Sequence, residues 1–269
     1  MRKIILQTLK RPFRYYPRIP NSVNWTKFIK QSSNYFRIPL KRTEYLFQTY
    51  YQFSKNKGYP EKLGERKTLS FEEAFLIYLV TIRLCPTNIV EIGTQYGKST
   101  RRILDIVELE NLNATVTCFD LIDEIKFIDH QEVNLVLQDL TYKFHERVLL
   151  ELTPEVIYLD AHPYELLKNL ITQFYEWSKS EQSILAIHDC SPGLYNPRMK
   201  ISKVDSQAVT SYTGFWERHV LSEVFSVPNN KIDDISTPTH RLKIFNTPHG
   251  LALLAPKSIL SPRSPEMLK

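Results

Sequence analysis

The sequence is short of glycine, with seven in 269 residues against an average usage of roughly 7%. Each glycine is therefore informative, and two of the seven fall in one short loop, at Gly93 and Gly97. Cysteine is scarcer: Cys85, Cys118 and Cys190 are odd in number and scattered. That excludes a disulfide framework, favours a reducing compartment and offers no zinc-ligand spacing. No apolar run approaches the ~18 residues of a helical membrane span. The opening MRKIILQTLKRP has a basic start, but Ile4-Ile5-Leu6 is too short for a secretory signal. A cytoplasmic location is the expectation. Acid is almost missing from residues 1–60, which carry Glu44 alone against 13 Lys and Arg, whereas residues 61–269 carry 28 acids against 22 bases.

The rest of the composition is that of an ordinary globular protein, 42% hydrophobic and 24% charged. The length suits one α/β domain with an extension. The basic arm has two readings. It could grip an anionic partner, or it could fold against the acidic remainder, since it is rich in Tyr, Phe and Trp, which favour burial. Residues 1–65 read as an extension of short helices broken at Pro12, Pro17, Pro20, Pro39 and Pro60, with helices expected near Asn21–Gln31 and Thr43–Ser54.

A regular pattern begins at Ser70. Ser70 with Glu73 three residues on forms a capping box, and the helix it opens should end before Cys85-Pro86. Strands are expected at Asn88–Ile92, Thr115–Phe119, Asn134–Leu137, Val156–Leu159 and Ser183–Ile187, with helices between them, the clearest at Tyr164–Ser178. A helix near Gly214–Phe225 and an antiparallel pair, Arg241–Phe245 with Gly250–Leu254, follow. Short apolar strands separated by helices imply a parallel sheet covered on both faces. The expected fold is therefore α/β, doubly wound and Rossmann-like: a mostly parallel seven-stranded sheet with an antiparallel C-terminal strand and an N-terminal helical extension. The expected division is an extension at 1–65, a main domain at 66–257 and a tail at 258–269.

The loop Gly93-Thr94-Gln95-Tyr96-Gly97-Lys98-Ser99 resembles a phosphate loop but has three residues between its glycines, not four. Gln95 stands where a dinucleotide fingerprint needs its second glycine. Ligands of open α/β sheets bind at the carboxyl ends of the strands. There the five strands carry Glu91, Asp120, Asp139, Asp160 and Asp189. Such a ring repels polyphosphate and attracts a cofactor with cationic groups and ribose hydroxyls, such as S-adenosylmethionine.

With these motifs, Val90-Glu91-Ile92-Gly93-Thr94-Gln95-Tyr96-Gly97, Phe119-Asp120, Gln138-Asp139, Leu159-Asp160-Ala161-His162-Pro163-Tyr164-Glu165 and Ile187-His188-Asp189, the chain resembles class I S-adenosylmethionine-dependent methyltransferases over residues 70–256. The last two motifs are similar to a bacterial small-molecule O-methyltransferase group. The resemblance implies that Glu91, Gly93, Thr94, Gly97, Ser99, Asp120 and Asp139 hold the cofactor. Glu91 would reach the methionine ammonium directly or through the loop, Asp120 the ribose and Asp139 the adenine. It also implies catalysis by Asp160, His162 and His188. One role is a general base, with a histidine taking a hydroxyl proton. The other is a divalent cation such as magnesium at Asp160 and Asp189. Catechol-type relatives carry Asn where this chain has Cys190, and the group's usual spacing between Asp and His is one residue longer than Asp160-Ala161-His162. His130, His145, His219, His240 and His249 read as standing alone. Tyr195, Tyr212, Phe215 and Trp216 are candidate acceptor-pocket residues.

The function expected from all this is O-methylation of a small-molecule or glycan hydroxyl. Alternatives are a nucleic-acid methyltransferase gripping phosphate through the arm, an enzyme resting on anionic membrane through residues 1–60, and a phosphate-loop NTPase. Nucleic acid is disfavoured by the lack of an N-P-P-Y-type motif and of a recognised RNA-binding module. The arm could equally reach a second subunit of a homo-oligomer.

Overall fold

Five short apolar segments pair side by side because neither of their faces is polar enough to meet water. The computed structural model describes residues 24–58, 69–192 and 216–261. In it β1 (Asn88–Ile92), β2 (Thr115–Asp120), β3 (Asn134–Leu137), β4 (Val156–Leu159) and β5 (Ile184–Ile187) are parallel, with β1 between β2 and β4. Adding β6 (Asp234–Ser236), β7 (His240–Phe245) and β8 (Leu251–Pro256) gives an eight-stranded sheet of order β3-β2-β1-β4-β5-β8-β7-β6. β8 runs antiparallel to both β5 and β7. The expected count of seven is corrected to eight. The extra edge strand β6 is three residues long, too short to show an alternation in sequence.

The helices are α1 (Trp25–Phe36), α2 (Leu40–Asn56), α3 (Phe71–Leu84), α4 (Lys98–Leu109), α5 (Tyr164–Trp177), α6 (Glu217–Val224) and α7 (Lys257–Leu260). Asn24 caps α1 by accepting the Lys27 amide at 3.0 Å, so α1 starts and ends later than expected. The capping box on α3 forms as the sequence implies. Not every strand is followed by a helix. Residues 121–133 hold only a 3₁₀ turn at His130–Glu132, because the segment folds over the glycine loop instead: the Lys126 and Phe127 amides both donate to the Tyr96 carbonyl. Between β3 and β4 there is a single π-helical turn, His145–Leu150.

The two-residue period of the strands sorts the core. Ile89, Val116, Cys118, Val156, Tyr158, Ile184 and Ala186 face one layer, with Phe47, Phe75 and Ile103. Val90, Ile92, Phe119, Ile157, Leu159, Leu185 and Ile187 face the other, with Leu167, Leu170 and Val220. Most aromatics of residues 24–58 belong to the first layer, with Tyr45 left exposed. Trp25 lies 5.0 Å from Phe47 and 5.7 Å from Phe71, and Tyr50 stacks on Tyr78 at 5.1 Å. Each such pair contributes about 0.5–1.5 kcal/mol beyond its buried area. Tyr35 Oη donates to the Leu253 carbonyl of β8 at 3.0 Å. Within residues 24–58, Lys27, Lys30, Arg37, Lys41 and Lys55 are exposed. Lys57 reaches Asp105 and Glu108 of α4, a surface contact of roughly 0–1 kcal/mol. The arm thus joins the core mainly through apolar burial. Residues 1–23 and the expected boundary at 65 lie outside the described residues. Ile259 and Leu260 of α7 are buried in the first layer. No helix among the described residues is long and apolar enough to cross a membrane.

Candidate active site

The sheet brings the acidic strand ends to one edge. β1 leaves the sheet through Gly93, whose φ is +91°, and a Cβ there would lie 2.2 Å from the Asp160 carbonyl oxygen. Gly93 is needed so that the ends of β1 and β4 can approach, which is a nearer reason than clearance for a ligand. Gly97, at φ +78°, caps α4 and would press a Cβ to 3.1 Å from Ile128. Three of the loop's amides are already engaged: Gly93 N–H donates to Phe119 O, Gln95 N–H to Asp120 Oδ2 at 2.7 Å, and Gly97 N–H to Thr94 O. A phosphate cradle needs such amides free, and here a carboxylate occupies one. Lys98 Nζ lies 5.0 Å above the Phe127 ring.

Glu91 points into the α3–α4 layer and is fully buried. Its oxygens accept the hydroxyls of Ser99 and Thr100 at the start of α4, and Cys118 Sγ approaches at 3.6 Å. Burial pushes its carboxyl up to about 7, against the bonds from Ser99 and Thr100. Glu91 is therefore bonded to the helix start and closed off from solvent. Thr94 is buried beside them. Asp120 is half-buried and also accepts the Leu121 amide. Asp139 is exposed and accepts the Thr141 amide and hydroxyl. Around these acids lie apolar side chains left in water, Leu121 at 41%, Ile122 at 59% and Leu137 at 54%. They form a shelf that a flat apolar group could cover.

Asp160, His162, His188 and Asp189 do converge, and three residues join them. His188 Nδ1 lies 3.1 Å from Asp160 Oδ1 and 3.4 Å from Asp189 Oδ1. His249 Nδ1 is 3.2 Å from Asp189 Oδ1, and its ring stacks on His188 at 4.9 Å. His162 Nε2 is 3.8 Å from Asp189 Oδ2, while its Nδ1 pairs with Glu217 Oε1 at 2.6 Å. Beneath them Glu73, the capping-box residue, lies 3.4 Å from His188 Nε2 and accepts the Thr247 hydroxyl and the His249 amide. Two triads, His188–Asp189–His249 and Asp160–His162–Asp189, could each hold a cation.

The expectation that His249 stands alone is corrected: the turn between β7 and β8 carries it to β5. Of the others, His130 pairs with Asp123, His219 with Glu223, and His240 is buried against Ser178. Glu73 and Glu217 lay hidden in sequence, one as a helix cap and the other beyond an irregular stretch. Their only signal was a second acid close to a helix start. Tyr195, Tyr212 and Phe215 lie outside the described residues, while Trp216 is buried with its ring 6.0 Å from Tyr164. Cys190 turns its thiol to the Ile187 and His188 carbonyls, away from the acids.

The cluster's charges shift one another. Burial would lower the His188 pKa, but Asp160 and then Glu73 raise it well above the usual value. His162 and His249 are likewise raised against burial, chiefly by Glu217 and Asp189 respectively. Burial would raise Glu73, yet His188 foremost holds it down to about 2. Asp189 is lowered in the same way, and its φ of +59° is a left-handed backbone rarely adopted outside glycine. Glu217 goes the other way, pushed by burial up to about 7 despite His162.

Five parallel strands with a reversed strand set between the fifth and the next make a doubly wound, Rossmann-like α/β sheet. No family model matches the chain, and no curated protein matches it. Solved structures are similar to it. A methyltransferase from Podospora anserina with bound S-adenosylhomocysteine is 12% identical, with a TM-score of 0.44 over 78% of this chain and 86% of that one. The O-methyltransferase TomG from Streptomyces achromogenes, in complex with S-adenosylmethionine, is 12% identical, with a TM-score of 0.40 over 78% and 89%. The mycinamycin-pathway methyltransferase MycE, with magnesium, S-adenosylhomocysteine and mycinamycin VI, is 12% identical, with a TM-score of 0.46. That match spans 77% of this chain and 54% of MycE. The likeness is one of topology, and the chemistry rests on this chain's own residues.

Proposed function

We propose that the chain is an S-adenosylmethionine-dependent methyltransferase that O-methylates a hydroxyl of a small molecule or glycan. The observation that carries this reading is the state of the glycine loop. Three of its amides are spent on Phe119, Thr94 and the Asp120 carboxylate, and that carboxylate sits where a phosphate would need a donor. That favours a cationic, ribose-bearing ligand over a phosphate. Asp120 keeps acceptor capacity for ribose hydroxyls, and Leu121, Ile122 and Leu137 supply an apolar bed for a purine. When bound, S-adenosylmethionine would supply an electrophilic methyl group.

The chain's own task is then to position an acceptor and to receive its proton. Holding acceptor and donor in line is worth about 7–11 kcal/mol. His162 is the candidate base. Glu217 at 2.6 Å fixes its ring by Nδ1 and leaves Nε2 turned towards Asp189. His188 is buried beneath Asp160 and Asp189, so it serves as a support and not as the group that meets the acceptor. Asp160, half-exposed beside it, lines the approach.

Calorimetric titration tests the reading. S-adenosylmethionine should bind, ATP with magnesium should not, and Asp120→Ala should abolish the binding. Binding of ATP alone would restore the phosphate-loop reading and remove these roles.

A further inference from the structure

The outward faces of α1 and α2 hold bases that no acid answers. Lys27, Lys30, Asn34 and Arg37 follow one another at helical spacing, and all four are exposed. Trp25, Phe28, Ile29, Tyr35 and Phe36 are buried on the other side of α1. α2, packed beside it, adds Lys41, and Glu44 is the sole acid of residues 24–58. Among the described residues, none of Lys27, Lys30, Arg37 and Lys41 has a carboxylate partner. By contrast Arg147, Lys168, Lys179, Arg241 and Lys243 are each paired with an acid. Like charges that nothing answers repel one another until an anionic surface covers them.

Two apolar side chains stand in water among these bases. Leu40 is 44% exposed and Tyr45 56%. The Arg42 guanidinium lies 5.1 Å above the Tyr45 ring, so an aromatic body carries a charged tip. A nucleic-acid backbone offers a leucine nothing, whereas the boundary between lipid headgroups and acyl chains takes bases and apolar side chains together. The chain that leads into α1 has the same chemistry: residues 1–23 hold six Lys and Arg, no acid, and the run Ile4-Ile5-Leu6. The turn between α1 and α2 also lies away from the cleft. Ile38 and Arg42 line one cavity with Cys85, at the end of α3, and Leu112, beyond α4. Those segments lead into the amino ends of β1 and β2, opposite the acidic edge.

We propose that this face docks on an anionic lipid surface, with Lys27, Lys30, Arg37 and Lys41 over the headgroups and Leu40 and Tyr45 set into their boundary. Each base near such a surface strengthens binding by about fivefold, and the two apolar side chains supply the second signal that stable attachment needs. The cleft at the carboxyl ends of the strands stays clear of the lipid. The inference stands apart from the methyl-transfer reading, since lipid binding needs neither methyl donor nor acceptor.

The test sediments the full chain with vesicles of phosphatidylcholine alone and with vesicles of equal parts phosphatidylcholine and phosphatidylglycerol. Binding to the second should be tighter by about tenfold or more, and should fall as NaCl rises from about 0.1 to 0.5 M. Lys27→Gln, Lys30→Gln, Arg37→Gln and Lys41→Gln together should weaken it by about a hundredfold or more while cooperative melting is kept. Tyr45→Trp, made alone, should add tryptophan emission that vesicles of brominated phosphatidylglycerol quench beyond the parent's own quenching. That second variant keeps the test if the first fails to fold. Equal binding to both vesicles, tighter binding to single-stranded RNA at the same salt, a folded neutralised variant that binds like the parent, or no added quenching would overturn the assignment.

Discussion

The β1 end and the β4–β5 end of the sheet lie side by side, and they are built on opposite plans. At the β1 end the main groups are answered within the protein. Glu91 is closed by Ser99 and Thr100, Gln95 by Asp120, and Gly93 is pressed to the back of Asp160. At the β4–β5 end four carboxylates, Glu73, Asp160, Asp189 and Glu217, surround three histidines at distances from 2.6 to 3.8 Å. The first end is a finished bracket that fixes where a ligand can lie. The second is a store of charge and proton sites waiting to be used. Stability and ligand positioning should respond most to changes in the first, and the proton-transfer step to changes in the second.

The largest effect should be on turnover. Asp120→Ala removes both the loop anchor and the ribose acceptor and should abolish it. His162→Ala should leave a residue of activity, lower by roughly 10²–10⁴-fold, since positioning survives. Equal loss in both, read from single-turnover rates at one fixed concentration of methyl donor that half-saturates the parent, would erase the distinction between bracket and chemistry. Next comes Gly93→Ala. With the Asp160 carbonyl in the way, it should cost about 3 kcal/mol or more, a fall in melting temperature of roughly 6–12 °C for a chain of this size. Gly97→Ala meets a movable Ile128 side chain and should cost about 1–2 kcal/mol, the left-handed penalty alone. Thermal melts that rank the two the other way would show that the strand approach at Asp160 is soft.

Thr247→Val deletes the buried bond to Glu73 and should cost about 1.5–3 kcal/mol in denaturant titrations. It sharpens the comparison because it loosens His249 without touching the β1 end. The smallest effect concerns His240, away from both ends. Burial lowers its pKa from 6.5 to about 4. The unfolded chain therefore takes up the proton first, and stability falls as pH drops from 6.5 towards 4. In His240→Gln that part of the pH dependence should vanish. A persistent slope in the variant over the same window would assign it to other groups.

What was legible in the sequence is what is local. The capping box at Ser70–Glu73, the five parallel strands and the acid at each strand end all follow from spacing within a few residues. β6 was not legible, because three residues cannot display a period. The missing crossover helix at 121–133 was not legible either, because Ile125 and Ile128 are held by the glycine loop and not by a sheet face. Least legible was the company of His188. Glu73 and His249 are separated by 176 residues and meet only because β8 enters the sheet beside β5. Glu73 had a sufficient local explanation as a helix cap, which concealed its second task.

The position of β8 also has a consequence for synthesis. It sits in the middle of the sheet, between β5 and β7, yet it leaves the ribosome after both of them. Until it arrives, Ile184–Ile187 is an unpaired apolar edge, open to other chains, and Tyr35 has no Leu253 carbonyl to hold. A nascent chain released before Leu251 should aggregate, while one complete through β8 closes the edge and the aromatic wall in a single late step.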